Sequence, residues 1–435
     1  MNKNSTIGNK KIASLFDCGT FVEIGAYIKR SNADEAYDGV LCGYGSVSGK
    51  LAFAFVQDSD RTKGAFDEIG AKKINMLYDM AIKNGATVIG VFDSAGAVVL
   101  DGSSALSAYG SFMANVAKAS GIIPQIAIID GVCTGLSLCT SAMFDIIINV
   151  EDKAETYIST QNKEKGIKAS IIAKNEDEAF ATARELVEIL PSNNNDNACI
   201  MSGDDPNRIA AVDNITGKAL CESVCDNGKF IELYAGRGKE LVCGLGFFGG
   251  VLCGIVASDN AENGGKLTCK AVKKAADLIS FCDRFNLSIV TLVNCEGFGE
   301  HICADSAAKL ISAYANATAP KVSVVLGKAY GAGFTLLGSK AIGADIEFAT
   351  EGSTISIMNP ESAVAFIMND EITHDKSRAD VEAEWCEKYA SAVCAAEKGD
   401  IDDVIAAEEV RARICAALYM LATKSDKTPE RKHFK

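Results

Sequence analysis

Long apolar runs and histidines are scarce in this chain, and each shortage excludes a class of protein. No run of about 18 apolar residues occurs, so no membrane-spanning helix is predicted. Residues 1–5 (MNKNS) are polar and lack the hydrophobic stretch of a secretory signal, so we expect a cytoplasmic protein. The three histidines, His301, His374 and His433, have no spacing that supports a Ser-His-Asp arrangement, and we expect each to be a surface or tail residue.

Closely spaced cysteine pairs are also missing, although the chain has 16 cysteines. No CxxC occurs, whereas zinc sites need close-spaced ligand pairs and disulfide frameworks need an oxidising compartment. We therefore expect buried, reduced thiols and no metal site.

A basic face is not expected either, because the formal net charge is −14. Nucleic-acid binding requires cationic side chains that neutralise phosphates, so no nucleic-acid partner is predicted. A nucleotide-like ligand is still compatible with this charge, since a few local lysines and arginines can hold its phosphates.

The chain repeats its own sequence at an offset of roughly two hundred residues, which is too long for a solenoid period. Matching segments are DCGTFVE (17–23) and DNGKFIE (226–232), CGYG (42–45) and CGLG (243–246), and DSAG (93–96) and NCEG (294–297). The repeat therefore indicates a duplicated domain.

Short β-branched runs alternate with amphipathic stretches in both halves. Strands are predicted at 51–56, 87–92 and 125–129, and again at 251–256, 288–293 and 322–326. Such alternation is typical of an α/β fold built from βαβ units. Residues 190–197 (LPSNNNDN) are polar and turn-rich, so we predict domains at 1–195 and 196–435.

Two glycine-rich turns follow matched strands, GVCTGLS (131–137) and GKAYGAGF (327–334). In each, small residues let backbone approach a ligand and an apolar helix is expected to begin. Free N–H groups at a helix start can donate to a developing oxyanion, which suits an enolate formed from a thioester.

With these motifs the sequence resembles the carboxyltransferase subunits of biotin-dependent acyl-CoA carboxylases and their decarboxylase relatives. The resemblance covers nearly the whole chain and implies two tandem crotonase-like domains. The further segments that carry it are LPSNN (190–194), KAYGAG (328–333), MNPE (358–361) and GDIDDVI (399–405) followed by Arg411.

The resemblance implies that a carboxyl group passes between carboxybiotin and the α-carbon of a short acyl-CoA, with no protein nucleophile. One pair of backbone donors, which maps onto Ala332 and Gly333, holds the thioester oxygen. The other pair, Gly135 and Leu136, holds the ureido oxygen of biotin.

Further residues of the family site map onto Gly96 and Ala97 in the first half and onto Gly297 and Phe298 in the second. Thr335 is a candidate for the acyl pocket, and an ordinary helix threonine explains it about equally well.

The implied partners are other chains, because no Met-Lys-Met biotinylation motif occurs here. They are a biotin carboxyl carrier protein and either a biotin carboxylase or a membrane decarboxylase subunit. The family's hexamer, a trimer of dimers, is the expected assembly, with each site between the first half of one subunit and the second half of another.

Three departures from the family pattern leave alternatives open. Leu136 stands where relatives carry glycine, Val98 where they carry arginine, and the loop after Phe298 is shortened to GEHIC (299–303). One alternative is a catalytically weakened scaffold of a biotin-dependent complex. Another is a crotonase-type hydratase or hydrolase that uses Glu296 or Glu300 as acid or base.

Overall fold

The computed structural model describes residues 6–28, 39–159, 166–167, 169–196 and 203–425, and the statements below concern those residues. The chain divides into two compact units, the first reaching Ala198 and the second running from Cys199 to Glu430. The predicted boundary between residues 195 and 196 stays a prediction, because residues 197–202 lie outside the described part.

The first unit alternates strands and helices as the sequence predicts. Its strands are β1 (Val22–Ile24), β2 (Val40–Val47), β3 (Lys50–Gln57), β4 (Thr87–Phe92), β5 (Gln125–Ile129), β6 (Val132–Thr134), β7 (Ile146–Val150), β8 (Glu155–Tyr157) and β9 (Ile171–Ala173). Its helices are α1 (Ile7–Leu15), α2 (Glu68–Asn84), α3 (Ser103–Ala119), α4 (Leu136–Ser141) and α5 (Glu176–Ile189). The main sheet has the order β1-β2-β3-β4-β5-β7-β9, and β6 pairs separately with β8.

Helix α2 shows why the elements form where they do. The Asp67 side chain accepts the N–H of Gly70 at 2.8 Å and so caps the first turn. The helix ends at Gly85, whose φ of +58° a residue without a β-carbon adopts freely. Leu77 and Tyr78 recur on the buried face, which faces the wholly buried strand β4 that follows.

The second unit repeats this plan. Its strands are β10 (Phe230–Leu233), β11 (Leu241–Phe248), β12 (Val251–Ser258), β13 (Ser288–Cys295), β14 (Lys321–Tyr330), β15 (Ile346–Thr350), β16 (Thr354–Ser356) and β17 (Asp403–Ile405). Its helices are α6 (Gly217–Val224), α7 (Cys269–Arg284), α8 (Ala304–Asn316), α9 (Ala332–Leu336), α10 (Pro360–Ala363), α11 (Arg378–Trp385), α12 (Ala392–Glu397) and α13 (Val410–Met420). The sheet order is β10-β11-β12-β13-β14-β15-β17, with β16 paired to the end of β14.

The two sheets match strand for strand. In both, the first two pairings are antiparallel and the central ones are parallel. Strand β14 continues as one strand where the first unit has β5 and then β6. The second unit also carries an insertion, α10 to α12, between β16 and β17.

The repeated aspartate of the DxGxFxE segments has the same structural role in both units. Asp17 is bonded to Arg184 of α5 at 2.6 Å, and Asp226 is bonded to Arg411 of α13. Each arginine also donates to a backbone carbonyl at the C-terminal side of the unit's first helix, Leu15 in one case and Val224 in the other. The last helix of each unit is thus tied to its beginning.

Candidate functional site

The turn at Gly331 leaves two backbone donors unused at the start of α9. Gly331 has φ +49°, and its N–H donates to the Ser356 carbonyl of β16 at 2.8 Å. The first helical bonds come from Phe334 and Thr335, both to the Gly331 carbonyl at 3.2 Å. Among the described residues, the N–H groups of Ala332 and Gly333 therefore have no acceptor, as the first positions of a helix require.

A matching turn at Gly135 begins α4 in the first unit. Gly135 has φ +55°, and its N–H donates to the Tyr157 carbonyl of β8 at 3.1 Å. Gly135 thus takes the place of Gly331, and Leu136 and Ser137 take the places of Ala332 and Gly333.

This register bears on the donor pair that the sequence predicts for the first unit. The expected donor pair was Gly135 and Leu136, but the N–H of Gly135 is already bonded within the fold. Within the described chain the N–H groups of Leu136, Ser137 and Leu138 have no acceptor, and the first helical bond runs from the Cys139 N–H to the Gly135 carbonyl at 3.1 Å. The donor pair on this side stays a prediction, and the bond from Gly135 to β8, which the local sequence does not reveal, favours Leu136 and Ser137 for it.

A second loop lies beside each turn. Gly96 and Gly297 have φ of +103° and +105°, and their carbonyls accept the N–H groups of Phe66 and Leu267, both at 2.8 Å. These bonds hold Ala97 beside Phe66 and Phe298 beside Leu267 as isolated bridges.

In the second unit this loop touches the donor turn directly. A β-carbon on Gly297 would lie 3.2 Å from the Tyr330 carbonyl oxygen, and one on Gly333 would lie 2.6 Å from that of Cys295. The structure therefore brings the predicted residues Gly297, Phe298, Ala332 and Gly333 into one neighbourhood, where Phe298 is exposed.

In the first unit the turn and helix α3 are joined by side chains. The Tyr109 hydroxyl lies 2.8 Å from Ser137 Oγ, and both residues are buried. Ser94, also buried, is hydrogen-bonded to Tyr109 and accepts the Gly96 N–H at 3.1 Å. Burial raises the pKa of Tyr109, so the phenol stays protonated and able to donate. Sequence reasoning missed this network, since Tyr109 looks like a core residue.

Of the two acidic residues of the hydratase alternative, Glu296 is engaged in ion pairs. Its carboxylate lies 2.7 Å from Lys328 Nζ and 3.8 Å from Lys266 Nζ. The hydrogen bond from Lys328 to Glu296 raises the pKa of the lysine, so the Lys328 ammonium keeps its charge beside Glu296. Glu300 is exposed. Neither arrangement isolates a carboxyl group for acid–base work.

The other side chains singled out from the sequence have surroundings that indicate no catalytic role. Thr335 is exposed and its hydroxyl donates to the Gly331 carbonyl at 3.4 Å, the bond of a helix threonine. Leu136 is 40% exposed, so its side chain reaches solvent at the start of α4. His301 and His374 are exposed, and His433 lies outside the described residues.

Cys295 is the thiol nearest the second donor turn. Burial raises its pKa to about 11, so it stays a neutral thiol at physiological pH and does not supply a nucleophile. The chemistry this region can perform is therefore the holding of a ligand oxygen by backbone N–H groups. No helix in the described ranges has the length and apolarity needed to cross a bilayer.

The comparisons with known proteins agree over the whole chain. The family model "Carboxyl transferase domain" matches residues 2–165 and 160–435. The propionyl-CoA carboxylase beta chain of Saccharopolyspora erythraea is 30% identical over 493 residues, covering 99% of this chain and 90% of that protein. The methylmalonyl-CoA decarboxylase subunit alpha of Veillonella parvula is 31% identical over 470 residues, covering 98% and 91%.

A solved structure gives the same answer for the fold. The transcarboxylase 12S hexamer core, crystallised with hydrolysed methylmalonyl-CoA, superposes with a TM-score of 0.90 at 30% identity and covers 99% of this chain and 92% of its own. The expected pair of crotonase-like domains is confirmed. The chain belongs to the carboxyl transferase domain family, the carboxyltransferases of biotin-dependent acyl-CoA carboxylases and decarboxylases.

Proposed function

We propose that this protein moves a carboxyl group between carboxybiotin and the α-carbon of a short acyl-CoA, with propionyl-CoA and methylmalonyl-CoA as the leading pair. The observation that carries the site assignment is the repeated helix start with unbonded N–H groups, which include Ala332 and Gly333 in one unit and Leu136 and Ser137 in the other. The relatives named for propionyl-CoA and methylmalonyl-CoA support the substrate class.

Ala332 and Gly333 hold the thioester oxygen of the acyl-CoA. When the α-carbon is deprotonated, negative charge collects on that oxygen, and two preorganised N–H donors stabilise it without reorganisation. Removal of one such donor from an oxyanion site costs about 3 kcal/mol of transition-state stabilisation.

Leu136 and Ser137 face the other reactant. The ureido group of biotin offers a carbonyl oxygen, and two N–H donors at one helix start fit such an acceptor. Carboxybiotin supplies the carboxyl group when bound. The chain's own part is to orient that oxygen and keep the Ser137 donor fixed through Tyr109.

The biotin is carried on a separate protein in this proposal, a biotin carboxyl carrier protein, and the complex includes a biotin carboxylase or a membrane decarboxylase subunit. The assembly is a hexamer, as the transcarboxylase relative is described to be. The cytoplasmic location stays a prediction.

The first experiment is decarboxylation of malonyl-CoA and methylmalonyl-CoA by the purified protein, with and without biocytin. We expect turnover that requires biocytin and a preference between the two thioesters. Calorimetric binding of each acyl-CoA and of biocytin separates an enzyme from a scaffold, which need bind neither. Turnover of an enoyl-CoA without biocytin would support the hydratase alternative instead.

Two matched proline variants test the donors. Ala332 and Leu136 are both the first residue of a helix, where proline removes an N–H but is tolerated. Ala332→Pro should lower kcat by roughly a hundredfold or more while biocytin binding is kept. Leu136→Pro should weaken biocytin use while acyl-CoA binding is kept. Full activity of a folded Ala332→Pro protein would exclude that donor.

A further inference from the structure

Two cysteines stand at the starts of neighbouring helices in the second unit. Cys269 is the first residue of α7, and Cys303 is the N-cap of α8. The two helix starts are tied together, because the Cys269 N–H donates to the His301 carbonyl at 3.2 Å. The Cys303 thiol is hydrogen-bonded to that of Cys269 and lies 2.8 Å from Ser306 Oγ. The fold therefore places the two cysteines side by side at neighbouring helix starts.

The surroundings of this pair differ from those of the buried thiols in the unit. The hydrogen bonds from Cys269 and then Ser306 hold the pKa of Cys303 below its usual range, with the Lys273 ammonium adding to the effect. Burial instead raises the pKa of Cys243 to about 12 and that of Cys225 to about 12. Cys303 is exposed and Cys269 partly so. Thiolate character and access are the two requirements for thiol oxidation.

The backbone segments that carry the two cysteines are already hydrogen-bonded to each other. The segment from Gly297 to Cys303 is bonded to the approach of α7, since the Leu267 N–H donates to Gly297 at 2.8 Å and the Gly299 N–H donates to Leu267 at 2.9 Å. Residues 299–303 of this segment form the shortened loop, so α8 begins only a few residues after the Gly297 turn. A bond between the two sulfurs would join elements that are already neighbours.

We propose that Cys269 and Cys303 form a dithiol that hydrogen peroxide converts reversibly into a disulfide. The Cys303 thiolate attacks a peroxide oxygen, the O–O bond breaks, and a sulfenic acid and one water result. The Cys269 thiol then displaces the sulfenic oxygen as a second water, and the S–S bond forms. Peroxide is reduced by two electrons, the two thiols are oxidised, and a dithiol reductant such as dithiothreitol restores them.

The disulfide would pin the segment behind the Gly297 turn to the start of α7. Because Gly297 of that segment approaches the Tyr330 carbonyl just before α9, we expect oxidation to lower turnover of the acyl-CoA as a secondary effect. The modification itself does not rest on the proposed function, and its test reads sulfur chemistry rather than activity.

The experiment is peptide mapping of the whole protein after brief treatment with hydrogen peroxide, alongside Cys269→Ser, Cys303→Ser and Cys18→Ser. Cys18 is exposed and lies in the first unit, so its variant is the control. In the parent protein and in Cys18→Ser we expect a cross-linked peptide joining residues 269 and 303 that dithiothreitol separates. The other two variants should give none.

A second measurement is the rate at which iodoacetamide alkylates Cys303 and Cys18 as a function of pH. Cys303 should react with a lower midpoint than Cys18, and Cys269→Ser should raise the Cys303 midpoint. Formation of sulfinic acid at Cys303 with Cys269 still reduced would overturn the proposal. Equal midpoints for Cys303 and Cys18 would overturn it as well.

Discussion

The carbonyl oxygen of Cys295 lies 2.6 Å from the position a β-carbon would occupy on Gly333. The Cys295 sulfur and β-carbon lie 2.9 and 3.0 Å from the same point. The start of α9 is therefore packed against the end of β13 with no room for even a methyl group. This contact fixes where the Ala332 and Gly333 N–H groups point.

Gly333→Ala should accordingly reduce activity and stability together. Because the nearest contact is backbone, either α9 or β13 must shift, and such overpacking costs about 1–3 kcal/mol. Gly110 is the matched control, since it lies within α3 and nothing approaches its β-carbon position within 4 Å. Gly110→Ala should be neutral or stabilising. Thermal unfolding and biocytin-dependent decarboxylation check both, and an unaffected Gly333→Ala protein would contradict the packing argument.

Tyr109→Phe should weaken the use of biocytin and leave the use of acyl-CoA unchanged. The change removes the 2.8 Å bond to Ser137 and frees the first-unit donor turn to move, so the KM for biocytin should rise while that for acyl-CoA is unchanged. Tyr78→Phe is the control, because its buried hydroxyl bonds Gln125 at 2.9 Å in the same unit. Both variants should lose about 1 kcal/mol of stability. Equal kinetic effects of the two would mean that Tyr109 is merely structural.

Glu347 gives the second unit a pH-dependent stability. Burial raises the pKa of this carboxyl to about 8 from the ordinary 4.5, against the opposing hydrogen bond from the Lys340 N–H. The folded state therefore binds its proton more tightly than the unfolded state. The resulting stabilisation is fully present below the unfolded pKa and is lost as pH rises through the folded one.

Glu347→Gln should abolish that trend, since the amide stays neutral and its oxygen can still accept the 2.6 Å bond from Lys340. Denaturation midpoints of parent and variant should diverge as pH rises from about 4.5 to about 8, with the parent becoming relatively weaker. Glu361→Gln, at an exposed residue of α10, is the control. If the difference between the two midpoints stayed constant across this pH range, the raised pKa of Glu347 would be contradicted.

Arg411→Met should destabilise the second unit by about 3–5 kcal/mol, because it leaves Asp226 buried without its cation. Arg184→Met, the equivalent change in the first unit, should cost less, since Arg184 and Asp17 are each 29% exposed. Urea unfolding measures both. Adding Asp226→Asn to Arg411→Met should recover part of the loss, and no recovery would mean that the pair is not coupled.

The sequence by itself predicts much of the fold and the family of this protein. Strands β4 and β5 have the predicted bounds, because continuous apolar runs specify buried strands locally. The duplication and both glycine turns were equally visible, since small residues are needed where backbone turns and approaches a neighbour closely. The family resemblance that these motifs carried is confirmed.

Hydrogen-bond partners were decided by tertiary structure alone. The sequence predicts a donor at Gly135. Only the pairing of β6 with β8 brings the Tyr157 carbonyl to the Gly135 N–H, so that the unbonded N–H groups begin at Leu136. The proximity of Cys269 to Cys303 likewise depends on two helices that start side by side. Periodicity records which face of an element is buried, whereas the partner of an N–H or a thiol is set by residues far away in the chain.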